Sequence, residues 1–376
     1  MVKTDKKECT GCTACATLCP AKCITMKEDE EGFRYPIVQK DLCISCGLCQ
    51  KVCPSKPFDS GEVLGCYGGY QKNDRIVRES SSGGLFSVVA NEILKKGGVV
   101  FGVTMEGIRA VHRYVETAED LRKLYGSKYL QSDLDDSMKQ VKGFLDQGRW
   151  VLFCGTPCQV SGLHSFLGKT YEKLFTIDFV CHGISSPQIF CKYLEEIHGR
   201  RKWKKISFRD KYSGWKKFGI YLEAEDGYQY RESLTDDIYL QSFLKNMNLR
   251  PSCFQCKFRT IHRISDWTIG DLWGVEELVP DWKEDKGYSL ILIHSEKGKQ
   301  VWKQITENVQ TQDVEIDRVC KYNSSLITSP WDFYTRDLFF KYAALNSVKK
   351  SMELAGKETW MKRLKRKGMV MWRRKS

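Results

Sequence analysis

The pattern of apolar and polar residues changes character along the chain. Up to residue 58 no helical or strand period is sustained, and short apolar pieces lie between cysteines. Within that stretch "CITMKEDEEGFRYPIV" predicts a small hairpin with Glu31-Gly32 near its turn. Further on, "ESSSGGLFSVVANEILKKGG" predicts a Ser/Gly loop opening an amphipathic helix that stops at Gly97-Gly98, and "VVFGVTM" a strand. Ser132 is placed to N-cap a helix over "SDLDDSMKQVKGFLDQG", with Gly148 after its end.

The central region alternates. "WVLFCG" reads as a strand, a loop with Pro157 leads to a helix over "CQVSGLHSFLG", and "LFTIDFVCHG" is again a strand. "SSPQIFCKYLEEIHG" is a helix with Ser186 at the N-cap and Pro187 at the first helical position. Such alternation argues α/β layering. "KISFRDKYSGWKKFGIYLEAEDGYQYRES" is rich in aromatic and β-branched residues, with a hairpin turn at Asp226-Gly227. "SLILIHSEKGKQVWKQITEN" returns to strand then helix, Cys320 falls at an apparent strand end, and residues 330–376 read as helices.

Composition narrows the class. At 41% hydrophobic residues the chain can bury packed cores, and 376 residues imply two or three domains. No apolar run reaches the 18 or so residues that span a bilayer. The N-terminus "MVKTDKKECTG" lacks the apolar core of a signal peptide, so a cytoplasmic location is expected. Net charge is +13, which raises nucleic acid as a ligand. Much of the excess is local: "KRLKRKGMVMWRRKS" at 362–376 holds eight Lys or Arg and no acid. The remaining mild excess suits an acidic electron carrier such as ferredoxin. The tail, with Trp, Leu and Met among its cations, suits a solvated basic end or a peripheral contact with an anionic membrane.

The cysteines carry most of the chemistry. There are 17, an odd number, clustered in a chain without a leader, which favours metal over disulfides. "CTGCTACATLCP" at 9–20 is repeated as "CISCGLCQKVCP" at 43–54, both C-x2-C-x2-C-x3-C-P. Three cysteines at that spacing wrap one side of a [4Fe–4S] cube, and the fourth of each run ligates the other cluster. One cluster is therefore assigned Cys9, Cys12, Cys15 and Cys53, the other Cys43, Cys46, Cys49 and Cys19. Paired zinc sites are the alternative, but zinc motifs pair C-x2-C units and rarely repeat three such cysteines before Cys-Pro. So short a module cannot bury enough apolar surface alone, so metal must hold it together. Cys23 and Cys66 fall outside the pattern and receive no role.

The later cysteines are less regular. Cys158 and Cys181 each fall near a strand end, where α/β sheets place their sites, and Cys253 and Cys256 form a C-x2-C turn with basic flanks. By spacing these four make a third site for a cluster or for zinc, or remain plain thiols. Cys154 and Cys191 are not needed for it.

"SSGGLFS", "YGSKYLQS", "GTPCQVSGL", "FVCHGISSP", "CFQCKF" followed by "SDWTIGDLWG", and "GYSLILIHSEKG" occur in that order over roughly residues 62–325. Together they resemble the β-subunit family of coenzyme F420 hydrogenase/dehydrogenase, to which chlorophyll-cycle reductases also belong. A fused dicluster ferredoxin module is a common companion. The resemblance implies FAD and a body cluster, on Cys158, Cys181, Cys253 and Cys256. It implies a flavin pocket from Ser82, Gly83, Gly84 and Ser87, from Gly126, Ser127, Lys128 and Tyr129, and from Asp271. His182, Asp178 and Lys128 are the candidate proton donors. Taken alone, His182 reads as structural and Lys128 as a solvated lysine at a helix end.

The expected fold class is thus multidomain α+β and α/β. A ferredoxin-like dicluster module spans 1–58. A beta-subunit N-terminal-like region follows at 62–145, then a C-terminal-like FAD and Fe–S domain at 146–328 and a helical basic tail at 329–376. The leading expectation is an iron–sulfur flavoprotein oxidoreductase fed by ferredoxin. It would act on a small-molecule two-electron substrate, with polysaccharide biosynthesis as the setting that bacterial relatives suggest. The alternative is an F420-linked beta subunit relaying electrons within a larger complex. Nucleic-acid binding is excluded, because the cysteines demand redox chemistry and the tail explains much of the charge.

Overall fold

The computed structural model describes residue 2, residues 5–54 and residues 61–373, the last eleven by backbone only. The proposed end of the module at residue 58 and the side chains of the basic tail beyond Lys362 lie outside the described residues.

The N-terminal module is a hairpin of β1 (Ile24–Glu28) and β2 (Arg34–Val38) with short helices Ala14–Leu18 and Leu48–Lys51 inside the two cysteine runs. The turn falls at Glu31-Gly32, as the sequence suggests, with φ 80° at Gly32. A Cβ there would lie 2.4 Å from Gln188 Cβ, so glycine lets the turn rest on the body.

The body is one mixed sheet of eight strands. Its members are β3 (Gly65–Gln71), β4 (Val99–Glu106), β5 (Arg109–Val115), β6 (Val151–Cys154) and β7 (Leu174–Phe179). After a separate three-stranded antiparallel sheet of β8 (Trp203–Asp210), β9 (Gly219–Ala224) and β10 (Gln229–Ser233), it is completed by β11 (Trp267–Asp271), β12 (Ser289–Ile293) and β13 (Val309–Asp313). The order is β13-β3-β12-β11-β7-β6-β4-β5. β4, β6, β7 and β11 run parallel, while β12, β3, β13 and β5 pair antiparallel. The boundary expected at 145/146 therefore falls inside a continuous sheet.

Strand alternation sorts residues between two faces. Val100 and Leu152 pack under helices Leu85–Lys95 and Glu296–Ile305. Val99, Phe101, Val151 and Phe153 face the other way, toward helices Ser137–Asp146 and Pro157–Leu167. Cys12, Ala14, Cys15, Cys23 and Val52 of the module join that second core. The module has little core of its own because it shares the body's.

Local chemistry sets the helix starts. Thr156 and Gln159 form a capping box on Pro157–Leu167, and Ser186 accepts from Ile189 N on Pro187–His198. Two expectations fail. The helix over Ser137–Asp146 starts later than foreseen, with Asp136 at its N-cap; Ser132 instead accepts from Gln159 Nε2 at 2.9 Å. Cys320 lies in a helix, Ile316–Tyr322, whose residue Val319 is buried against the sheet. No helix among the described residues is long and apolar enough to cross a membrane.

Candidate metal centres and the adjoining cleft

The parallel strands end on one edge, and the body cysteines gather there. Thr156 caps the helix after β6, so Cys158 lies in its first turn, with Thr156 Oγ1 3.1 Å from Cys158 Sγ. Cys181 follows β7. The 3-10 turn Pro251–Gln255 carries Cys253 and leads into Cys256. All four line one cavity of about 30 Å³. Ile184 N points at Cys253 Sγ across 3.4 Å.

A second cavity, of about 120 Å³, is lined by Cys9, Cys12, Cys15 and Cys53. Membership of Cys53, from the other run, is the crossed pattern inferred from the spacing. The two cavities share Thr10, Ser252, Cys256 and Phe258 as a common wall. Of the other set, Cys19 and Cys43 both approach Cys23, with Cys19 and Cys23 sulfurs 3.4 Å apart. Cys46 is exposed. Among the described residues, no group of three or more His, Cys, Asp or Glu converges tightly enough to hold a single metal ion.

Burial raises the thiols of these sites, Cys158 to about 11 and Cys15 and Cys253 to about 12, with neighbouring cysteines adding to the rise. Cys12 and Cys181 are raised further by the same desolvation. Thiolates form here only with a strong positive charge beside them. Three arginines supply part of it at the body cavity: Arg250, Arg259 and Arg263 all line it. Arg263 pairs with buried Asp178 at 3.5 Å, and Arg259 donates to His182 O at 2.6 Å. Four cysteines lining each cavity, with arginines around the body cavity, fit the donor set of an anionic iron–sulfur cluster. Sequence reasoning missed the arginines; the basic flanks of the C-x2-C turn were the signal for Arg250.

The loops proposed for a flavin also meet. Ser127 N donates to Ser81 Oγ at 2.7 Å, joining the "SSGG" and "GSKY" segments. Ser82 Oγ lies 2.8 Å from Ser289 Oγ, which also accepts from Gly83 N at 2.9 Å. The Gly83 N–H of the implied flavin loop is thus taken. Gly84, at φ 80°, precedes the helix, and Ser87 is buried beneath it, bonded to Gly84 O and Gln71. Gly126 stands at φ 79° in its turn.

Two lysines lie beside these loops. Lys128 Nζ caps the carbonyls of Leu124 and Tyr125, and burial pulls it down to about 7. Lys211, unforeseen, donates to Val77 O, Ser82 O and Lys286 O and is lowered to about 7 by burial and by Arg209. Asp271 is held bidentately by Arg209 at 2.7 and 3.1 Å and by Trp215 Nε1 at 2.8 Å. The hydroxyls of Ser81, Ser82 and Ser127 at the carboxyl edge of a parallel sheet fit the phosphate end of FAD, while the lysines are engaged with backbone carbonyls.

His182 lies apart from Lys128. Its Nε2 is 3.2 Å from Phe243 O, and burial lowers its pKa. Tyr129 stacks on the same Phe243 ring at 4.4 Å, so that ring touches both the residue after Cys181 and the "GSKY" loop. Cys154 is not in the metal cavity; it neighbours Lys128 and Asp178. Cys66 lies beside Cys320.

Comparison with known families places the 4Fe-4S dicluster domain at residues 8–56 and the C terminus of the coenzyme F420 hydrogenase/dehydrogenase beta subunit at residues 148–318. No curated protein matches the chain. Among solved structures, the F420-reducing [NiFe] hydrogenase complex from Methanosarcina barkeri contains a chain of similar trace. It is 15% identical with TM-score 0.47, covering 80% of this chain and 92% of that one.

Proposed function

Since the chain joins an N-terminal 4Fe-4S dicluster domain to the C-terminal domain of the coenzyme F420 hydrogenase/dehydrogenase beta-subunit family, we propose that it is an electron-transfer subunit of an oxidoreductase complex. One observation carries this reading: the cavity of Cys9, Cys12, Cys15 and Cys53 and the cavity of Cys158, Cys181, Cys253 and Cys256 share a wall. Electron transfer needs centres that close, and no substrate need enter between them. When bound, iron–sulfur clusters take up and release single electrons, and FAD links such electrons to two-electron chemistry.

The chain's own residues divide the labour. Cys46 is exposed together with Leu42 and Ile44, so a ferredoxin or similar carrier reaches the module there. Arg259 and Arg263 hold positive charge beside the body cavity. A second reading, reduction of a small substrate by this chain through FAD, is favoured by the meeting of the "SSGG" and "GSKY" loops. There Ser82 and Ser127 hold the loops together, and Lys128 and Lys211, though engaged with backbone carbonyls, add positive charge beside them.

Anaerobic purification with iron, zinc and flavin counts tests both readings. About twelve irons per chain support three [4Fe–4S] clusters; about eight, with zinc, refute the body cluster. Activity with reduced ferredoxin and coenzyme F420 that appears only on adding a partner subunit supports the relay. Activity of the chain alone, with one FAD, favours the second reading.

A further inference from the structure

Arg250 is a cation that lines the body cavity and also touches a cysteine of the other cavity. It is fully buried and directly precedes the turn carrying Cys253. Its guanidinium lines the body cavity. It reaches the other cavity through Cys9: Nε donates to Cys9 O at 2.8 Å, and Nη2 lies 3.7 Å from Cys9 Sγ. Nη2 also donates to Arg34 O at 3.0 Å and Nη1 to Gln131 Oε1 at 3.2 Å. The Tyr35 ring covers the group, 4.0 Å from centroid to guanidinium carbon. Gly11 makes the room: at φ 71°, a Cβ there would come within 3.1 Å of Arg250 Nη1.

Every one of these partners is a neutral oxygen, a ring or a cysteine sulfur. A guanidinium stays charged at any ordinary pH, and burying it without a counter-charge is costly. The negative charge within reach is that of the two sets of cysteines. We propose that Arg250 is the shared counter-cation of the two clusters those sets would hold, keeping both reduction potentials up together. The proposal rests on the reading that both cavities hold iron–sulfur clusters. An electron entering either side adds one negative charge next to the guanidinium, so the cation favours both reduced forms. Hydrogen bonding to the sulfurs is one lever by which proteins set cluster potentials. The set of Cys19, Cys43, Cys46 and Cys49 has no contact with Arg250 and serves as the internal reference.

The test is an anaerobic potentiometric titration of the full chain followed by electron paramagnetic resonance. Two variants remove the net charge differently. Arg250→Gln deletes it; Gln131→Glu is isosteric and places a carboxylate against it. Either should raise the oxidised-to-reduced ratio of the two inner clusters about tenfold at fixed potential, a fall of about 59 mV for a one-electron couple. The reference cluster should stay put, and Arg250→Lys should stay near the wild type. Should Arg250→Gln fail to fold, Gln131→Glu decides. Full iron with unmoved inner potentials, or equal shifts in all three clusters, overturns the proposal alone. A wild-type chain without iron at these cysteines overturns the cluster reading, and this proposal with it.

Discussion

Cys12 packs directly on Gly162: a Cβ at position 162 would lie 2.9 Å from Cys12 Cβ and 3.0 Å from its Sγ. Gly162 is inside the helix Pro157–Leu167, where alanine would ordinarily gain about 1 kcal/mol. Here the contact reverses the sign. Gly162→Ala should destabilise the docked module by about 1–3 kcal/mol, the usual cost of overpacking. Gly143→Ala, in open space on the helix Ser137–Asp146, should instead stabilise. Thermal denaturation of the two variants under nitrogen checks the opposite signs.

The cavity lining separates the cysteines that matter from those that do not. Cys158→Ala and Cys181→Ala should each lose about four irons per chain, the content of one cluster. Cys154→Ala should keep all iron, because Cys154 lies against Lys128 and outside the cavity. Iron analysis after desalting distinguishes them.

The hairpin turn is tied to the body by a buried ion pair. Arg336, 2% exposed, grips both carboxylate oxygens of Glu31 and donates to Leu249 O at 2.9 Å. Arg336→Ala leaves the half-buried Glu31 unpaired, and breaking such a pair costs about 3–5 kcal/mol. Adding Glu31→Gln should restore part of the loss. Urea titration of the three variants measures this coupling.

Lys128 and Lys211, both lowered by burial to about 7, lose charge as pH rises through that value. Their cationic forms dominate below pH 7, and an anionic phosphate group binds those forms. FAD affinity should therefore fall above pH 7, by up to about tenfold per pH unit for each lysine that contacts phosphate. Fluorescence titrations at pH 6 and 8 test the direction, and Lys128→Met should flatten the dependence. A constant affinity would remove these lysines from the phosphate site.

The sequence carries local rules well and distant ones poorly. The cysteine spacing, the Ser186-Pro187 helix start and the Asp226-Gly227 turn depend on neighbours along the chain, and the structure forms the expected helix and hairpins around them. The docking of the module does not. Its partners Gln131, Arg250 and Arg336 lie far along the chain and belong to no spacing rule. The same holds for Asp271, read from "GDLWG" as a cleft residue: Arg209, which holds it, sits on β8, a strand of the smaller sheet. Ser132 shows the converse failure. A good local cap candidate was drawn off by Gln159, a partner that only the fold supplies.

The exposure of Cys46 has a meaning for damage as well as for access. Oxidation of sulfur follows thiolate character and solvent contact, and Cys12 and Cys15 are buried where Cys46 is open. Oxygen or peroxide therefore strikes the outermost sulfur first. On the proposed relay, its loss breaks the link to the outside carrier while the inner cysteines stay intact: damage falls on the exposed end of the line and spares the part built into the fold.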